Sequence, residues 1–487
     1  MHNNLKDKFV AGNFDVIVIG AGPAGLFAAH ELIKNKKHVL IIEKGKNIFD
    51  RKCPAIEFKR PCARCNTCDI ISGWGGAGAF SDGKLTCSNS KEVGGHLTSY
   101  VDDLGLMIDE VLAIYKEYGA PDDSYVPNAD FVEKFSRNAF INNLKFYPYN
   151  TLHLGTDKSI DVLSNMYNKM VKNEYFHIKF GDEILWFIDD RDDTLKEAQR
   201  EAQTDNIERK IIGVENKNCV VWLAPYVIVA PGRGGSEWLT EQMLNHRVGI
   251  ERNAVDVGVR MEVPAQIMEE VLSNNIFDMK LEYYSATFND RVRTFCTCPK
   301  GEVLEENYNG FVTVNGHGCR EKKTNNTNFS ILVSINFTEP FNKPLEYGAS
   351  IISLGNMLAK NIIVQRYGDL KRGRRSTEER IKKGFVEPTL KSAVPGDISF
   401  VLPYRHLKDI MEMIEAMSKI IPGINSEHNL LYATEVKFYS SKITVDKNME
   451  TKVKGLYVAG DGAGLTRGLM QASASGLHVA RNILKEV

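Results

Sequence analysis

Three glycines, one acid and four cysteines have the types and spacing that can carry chemistry. Gly20, Gly22 and Gly25 stand in G-x-G-x-x-G order directly after the β-branched run DVIVI. In such a turn the first glycine makes the tight bend and the second lets the backbone approach a pyrophosphate. The third lets the helix pack on the strand. AGLFAAHELIKN has helical periodicity, and its first N–H groups would face the phosphates. HVLII reads as the next strand, with Glu43 at its end, placed to accept hydrogen bonds from a ribose. An acid there argues against a 2′-phosphate. Strand, turn, helix and acid together predict a dinucleotide site, with NAD and FAD both open at this point.

The cysteines form a second constellation. Cys62, Cys65 and Cys68 make C-x-x-C-x-x-C, and Cys53 is followed by Pro54. The spacing resembles a ferredoxin-type cluster site, with the Cys-Pro element upstream instead of downstream. Thiolates so spaced also suit tetrahedral zinc or a redox-active dithiol. The plain alternative is ordinary thiols in a basic loop with Arg51, Lys52, Lys59, Arg60 and Arg64. The expected metal set is therefore Cys53, Cys62, Cys65 and Cys68, for a 4Fe–4S cluster or zinc.

A third constellation lies near the C-terminus. In GLYVAGDGAGLTRGLMQASASGLHVARNIL, LYVAG is another short buried strand, and Asp461 follows it in a glycine-rich turn. From about Gly468 the sequence is helical and rich in small residues. An acid at a strand end can bind a chain of hydroxyls. A helix N-terminus beyond it places N–H groups and a positive dipole near a developing negative charge, such as the pyrimidine edge of reduced flavin.

Strand–AGD–helix, paired with the N-terminal glycine motif, resembles the large FAD-dependent oxidoreductases of the glutathione-reductase-like type. The resemblance implies that Asp461, between Gly460 and Gly462, binds the ribityl chain. It also implies that Gly468, Leu469, Met470 and Gln471 face the flavin ring. LAPYVIVAPGR is similar to the strand that ends in an Ala/Thr-x-Gly turn near the flavin, here Ala230 and Gly232. The order of the three segments makes the expected cofactor FAD. More narrowly, GWGGAGAFSDGK, RTFCTCPKGEV, GDLKRGRRS and GLYVAGDGAGLTRG together resemble a family of uncharacterised FAD-dependent dehydrogenases, with GDGAG here where GEGAG is the common form. Under that resemblance GWGGAGAFSDGK crosses the flavin: Gly75, Gly76 and Ala77 allow close backbone approach, and Ser81 and Lys84 add side-chain contacts. The remaining cofactor-contact candidates are Ala21, Pro23 and Ala24 in the first turn and Lys44 beside Glu43.

Elements that must position these residues follow from pattern. The expected fold class is α/β, a discontinuous Rossmann-like FAD-binding domain with an inserted α+β cap or substrate domain. The expected boundaries are 1–255 with a helical insertion at about 101–150, then 256–430 for the cap, then 431–487. DKSIDVLSNMYNKMVKN reads as a helix, and RKIIGVENKNCVVWL as a hairpin. DDRDDTLKEAQREAQTDN reads as a solvated insertion. Leu407, Ile410, Ile414, Met417 and Ile421 share a core-facing stripe. Within the cap, His317 in VNGHGCR reads as a glycine-flanked loop histidine and is the one candidate proton donor. Cys296 and Cys298 alternate along a strand and share a face, as a dithiol or as two small buried residues. KRGRRS reads as a solvated basic turn.

A net charge of −1 over 487 residues gives no basic footprint for nucleic acid. No stretch nears the roughly 18 apolar residues of a membrane span. No signal peptide is visible, so the expected location is cytoplasmic. The expected function is an FAD-dependent oxidoreductase, passing a hydride or electron pair through flavin N5 to or from a small-molecule substrate under the cap. With no second G-x-G-x-x-G, the electron donor is NAD(P)H binding transiently or a ferredoxin-like protein. Two alternatives stand beside it: an electron-transfer or redox-sensing flavoprotein with an iron–sulfur cluster, and a reductase of C=C bonds in a lipid-like substrate. A tRNA-modifying flavoenzyme is a third, weakened by the near-neutral charge.

Overall fold

The computed structural model describes residues 9–58, 65–190, 209–251, 253–308, 310–318, 323–336, 343–359 and 361–486. The chain divides into two compact units: Met1–Asp122, Thr156–Arg252 and Ser440–Val487 form the first, Asp123–Gly155 and Asn253–Tyr439 the second. The helical region expected at about 101–150 is thus divided: Leu104–Glu117 belongs to the first unit and Ala129–Ile141 to the second. The charged insertion at 189–206 lies almost wholly outside the described residues.

The first unit is built on a five-stranded parallel sheet in the order Leu456–Val458, Tyr226–Val229, Val16–Ile19, Val39–Glu43, Phe176–Phe180. Val16–Ile19 and Val39–Glu43 are buried throughout. That explains their unbroken apolar runs, because a parallel sheet is covered on both faces. The Pro23–Lys34 helix connects these two strands, with Pro23 in its first turn, where the missing N–H costs nothing. From the central strand Val16–Ile19 the chain moves to one neighbour, Val39–Glu43, and later returns on the other side as Tyr226–Val229. The order reverses at the carboxyl ends of these strands, where open α/β sheets form their crevice. The C-terminal helix Leu469–Glu486 closes the unit. A Cβ on its Gly476 would stand 2.0 Å from the Ala24 carbonyl oxygen, so only glycine lets it lie against the first helix.

The second unit is built on an eight-stranded sheet in the order Val394–Pro395, Ile363–Arg366, Leu430–Lys437, Val255–Pro264, Asn326–Ile335, Arg291–Cys298, Leu281–Tyr284, Leu144–Phe146. Its central strand, VDVGVRMEVP, alternates apolar and polar residues, a pattern that ordinarily places one face in water. Here nine of its ten positions are buried. Val255, Val257, Val259, Met261 and Val263 lie in an apolar core with Phe329, Ile331 and Val333. Leu407, Ile410, Ile414 and Met417 of the Tyr404–Ser418 helix share that core, as does Ile421 just beyond it.

The alternate residues Asp256, Arg260 and Glu262 are also buried, at 2%, 0% and 0% exposure. A buried charge needs a counterion and hydrogen bonds; Arg260 and Asp256 have both, whereas Glu262 is held by hydrogen bonds alone and burial raises its pKa. Arg260 grips Glu435 through Nε at 3.0 Å and Nη2 at 3.3 Å, and donates to Asn328 Oδ1 at 2.6 Å and Ser330 Oγ at 2.9 Å. Asp256 pairs with Arg293 and accepts from Tyr439 at 2.7 Å. Glu262 accepts from Thr389 at 2.6 Å, Tyr432 at 2.5 Å and Asn326 at 3.0 Å.

Two local expectations are corrected here. Cys296 and Cys298 do not alternate regularly. Cys296 has φ +49°, and the register shifts between Phe295 and Cys298, so a bulge interrupts the strand. The bulge directs the Cys296 carbonyl to Arg260 Nη1 at 3.3 Å, leaving Cys298 buried and Cys296 half-buried. His317 is not in a loop. It ends the strand Phe311–His317, opposite Glu302 in a two-stranded antiparallel pair.

Removing one partner of a buried ion pair strands the other, at about 3–5 kcal/mol. We expect Arg260→Met to lose about that much in urea unfolding, and the double variant Arg260→Met/Glu435→Met to recover most of it. Equal stability of Arg260→Met and the parent would contradict the pairing.

Candidate functional site

At the carboxyl end of the first unit's parallel sheet, four separate glycine-bearing segments meet. They are 20–25, 73–81, 230–235 and 460–468. Most of the contacts are backbone to backbone. A Cβ on Gly20 would lie 2.3 Å from the Ala230 carbonyl oxygen, and one on Gly462 would lie 2.3 Å from that of Gly232. A Cβ on Gly76 would lie 3.1 Å from Gly22 Cα, and one on Gly460 3.1 Å from Ala24 Cβ.

The three glycines of the first motif now separate by role. Gly20 has φ +99° and no room, and a Cβ on Gly25 would stand 2.0 Å from the Gly20 carbonyl oxygen. Both are required by the fold. A Cβ on Gly22 would meet nothing within 4 Å, and the same holds for Gly232. These two face open space.

Glu43 organises the site. Its carboxylate is 6% exposed and accepts three backbone N–H groups: Ala21 at 2.8 Å on Oε2, and Gly45 at 2.7 Å and Gly73 at 2.9 Å on Oε1. A carboxylate offers about four acceptor positions, so one remains for a ligand. One side chain thus ties the first turn, the end of its own strand and the 73–81 loop together. Lys44, beside it, is half-buried.

Arg51 holds the same loop from the other side. It is buried and donates to the carbonyls of Asp69 at 2.8 Å, Ile70 at 3.0 Å and Trp74 at 2.6 Å, and it lies 4.8 Å from the Phe80 ring centroid. Burial lowers its pKa to about 10, against the opposing pull of Glu43 and Asp69. Trp74, fully buried, donates from its indole to the Leu163 carbonyl at 2.9 Å. Sequence reading treats Arg51 as one basic residue among five, because no spacing rule marks an arginine that recognises carbonyls of a loop about 20 residues away.

The other expected residues fall into place around these. Gly75 is buried and has φ +84°, Gly76 has φ +57°, and Ala77 is exposed. Ser81 donates to the Gly78 carbonyl at 2.9 Å, and Lys84 pairs with Asp82 at 3.1 Å, so both are engaged within their own turn. Asp461 accepts from Thr466 Oγ1 at 2.6 Å and from the Gly468 N–H at 3.2 Å, which fixes the loop that enters the last helix. Burial raises its pKa above the ordinary carboxylate value, opposed by Thr466, Arg233, Gly468 and Arg467. Leu469 lies against Gly78, where a Cβ would come within 2.6 Å of its side chain. Met470 is fully buried. Gln471, 1% exposed, donates to the carbonyls of Thr86 at 3.3 Å and Ser88 at 3.1 Å. His317 belongs to the second unit and is not among these segments.

Of the cysteine set, Cys53 and Cys68 are half-buried and Cys65 is exposed, while Cys62 lies outside the described residues. Among the described residues, no group of three or more His, Cys, Asp or Glu is placed to hold a metal ion.

Comparison with known proteins agrees with this geometry. Residues 15–48, which span the first strand, the glycine turn, the first helix and Glu43, match the family model for an FAD binding domain. Residues 254–438 match the model described as FAD-dependent protein, C-terminal domain-like, and fall within the second unit. Both matched models describe FAD-dependent proteins, and an FAD-dependent oxidoreductase is the class these matches support. A relative from Clostridium beijerinckii, described as an uncharacterized protein, is 25% identical over 494 residues, covering 96% of this chain and 80% of the relative.

Two solved structures are similar at low scores. L-proline dehydrogenase from P. horikoshii has a TM-score of 0.38 and 13% identity, covering 98% of this chain and 94% of that one. A geranylgeranyl bacteriochlorophyll reductase-like protein from Thermoplasma acidophilum has 0.40 and 12%, covering 97% and 78%. Scores of this size carry no inference to this chain.

Glu43→Leu leaves three buried N–H donors without an acceptor, at about 1–3 kcal/mol each. We expect it to destabilise the protein by at least about 3 kcal/mol in chemical denaturation, with Glu43→Gln losing less because one acceptor oxygen persists. Parent-like stability of Glu43→Leu would show that the carboxylate is not the fastening point.

Proposed function

We propose that the first unit holds FAD across the four converging segments and that the protein is an oxidoreductase acting on a small molecule through that flavin. The observation that carries this reading is the contrast among the three motif glycines. Gly20 and Gly25 are fixed by contacts within the protein, whereas Gly22 faces space that no protein atom fills. A glycine kept where the fold does not require one is explained by a ligand approaching its backbone.

In this reading the pyrophosphate lies against Gly22 and the start of the Pro23–Lys34 helix, whose N-terminal dipole favours negative charge. The one unoccupied acceptor position of Glu43 serves the adenosine ribose. The backbone of Gly75 and Gly76 lines the ligand, and Gly232 leaves it room. Asp461, already held by Thr466 and Gly468, presents its carboxylate to the ribityl hydroxyls. The start of the Leu469–Glu486 helix supplies N–H groups and a positive dipole to the ring's pyrimidine edge. When bound, the flavin supplies hydride or electron-pair transfer at N5. The protein's part is to orient the ring, bias its charge and limit water. The electron donor in this reading is NAD(P)H or a ferredoxin-like protein.

The purified protein is expected to be yellow, with a stoichiometric flavin absorption spectrum. Gly22→Val should fold with parent-like melting but retain no flavin, whereas Gly25→Ala should fail to fold or melt far lower. Asp461→Ala should keep its fold and bind FAD about tenfold or more weakly, the loss of one strong charged hydrogen bond. A full complement of flavin in Gly22→Val overturns the placement.

The metal reading of Cys53, Cys62, Cys65 and Cys68 rests on their spacing, and anaerobic purification with metal analysis decides it. Stoichiometric iron with acid-labile sulfide, or stoichiometric zinc, would carry that reading, and metal-free protein ends it.

A further inference from the structure

In the second unit, the turn between the Leu281–Tyr284 and Arg291–Cys298 strands is fastened to the Tyr404–Ser418 helix by acids. Glu412 accepts the Ala286 N–H at 2.8 Å, the Thr287 N–H at 3.3 Å and the Thr287 hydroxyl, and it pairs with Lys408 at 3.5 Å. Asp290 takes both arms of Arg405, Nε at 2.5 Å and Nη2 at 2.7 Å, and the same guanidinium lies 5.0 Å from the Phe288 ring centroid. These two acids are ionised and compensated, and each is held below its ordinary pKa.

Asp409 differs from both. It is 0% exposed, and no donor of the described residues reaches either carboxylate oxygen in hydrogen-bond geometry. It lies within bonding reach of the Asp290 carboxylate and beside Ser285, whose Oγ accepts from the Phe288 and Asp290 amides at 3.3 and 3.2 Å. Two carboxyl groups in contact cannot both ionise. Arg405 keeps Asp290 ionised, so Asp409 carries the proton and its O–H donates to Asp290. No other group packed around Asp409 replaces that proton. Arg405 is committed to Asp290 and Lys408 to Glu412. His406 is buried, bonded through Nε2 to the Tyr347 hydroxyl at 2.8 Å, and neutral, because burial lowers its pKa to about 4. Tyr283, on the adjoining strand, is a neutral phenol whose pKa burial, Glu412 and Asp409 raise. Burial and Asp290 push the Asp409 pKa up to about 6, with Ser285 and Arg405 pulling it back.

We propose that Asp409 is a proton-operated latch on the turn at 285–290. When neutral, it bonds the turn to the helix through Asp290. When ionised, it repels Asp290 and loosens the turn. An aspartate in the unfolded chain loses its proton near about pH 4. Below that pH Asp409 is neutral in both states, and the latch is fully present. Between there and about pH 6 the folded protein keeps a proton that the unfolded chain has released, so the stabilisation falls as pH rises. Above the folded pKa it is lost. All the residues involved belong to the second unit, so the latch stands or falls independently of the flavin reading.

Hydrogen exchange of the purified full-length protein, corrected for the intrinsic effect of pH, reads the latch directly. The amides to follow are those of Ala286, Thr287, Phe288 and Asp290. Their opening constant should rise at least about tenfold between about pH 4.5 and pH 7. Asp409→Asn keeps a donor toward Asp290 but has no proton to lose. Its turn should be equally protected at both pH values, and better protected than the parent's at pH 7. Protection in the parent that does not change across this range would overturn the proposal, as would the same pH dependence in Asp409→Asn. Should Asp409→Asn fail to fold, the parent alone decides: exchange that is flat with pH sinks the latch.

Discussion

The carboxylate of Glu43 is the constraint on which the first unit's site depends. Three N–H groups from three stretches of chain converge on it, and each is buried where water cannot replace the lost bond. The glycine turn alone would be a local feature of one strand and one helix. Through Glu43 it becomes continuous with the 73–81 loop, and Arg51 then locks that loop by its carbonyls. The acid's backbone role comes before any role toward a ligand, because the crevice has its shape only when those donors are satisfied.

The second unit solves a different problem. Its central strand carries Asp256, Arg260 and Glu262 into the interior, where each is almost wholly buried. Such charges are costly, and replacing them with apolar residues is often neutral or stabilising. Held by ion pairs and hydrogen bonds, they give this sheet one apolar and one polar face.

Much of the first unit is legible in sequence. The strand–turn–helix–strand unit at 15–43 and the strand and helix at 456–486 are visible because unbroken apolar runs, glycine spacing and small-residue helices each report a local requirement. The second unit is less so. VDVGVRMEVP reads correctly as a strand, but its alternation suggests a face in water, and only the pairing with Asn326–Ile335 and Leu430–Lys437 reveals that both faces are buried. The bulge at Cys296 and the strand that ends at His317 were hidden for the same reason: both depend on what the neighbouring strand does.

By itself the sequence determined the class of chain, because a strand–glycine turn–helix unit is built from consecutive residues whose backbone needs are written in their side chains. It could not determine which acid bonds to which amide, which arginine supports which loop, or which charges pair across the second unit's sheet. Those depend on distances between residues tens to hundreds of positions apart, and only the folded sheets set such distances.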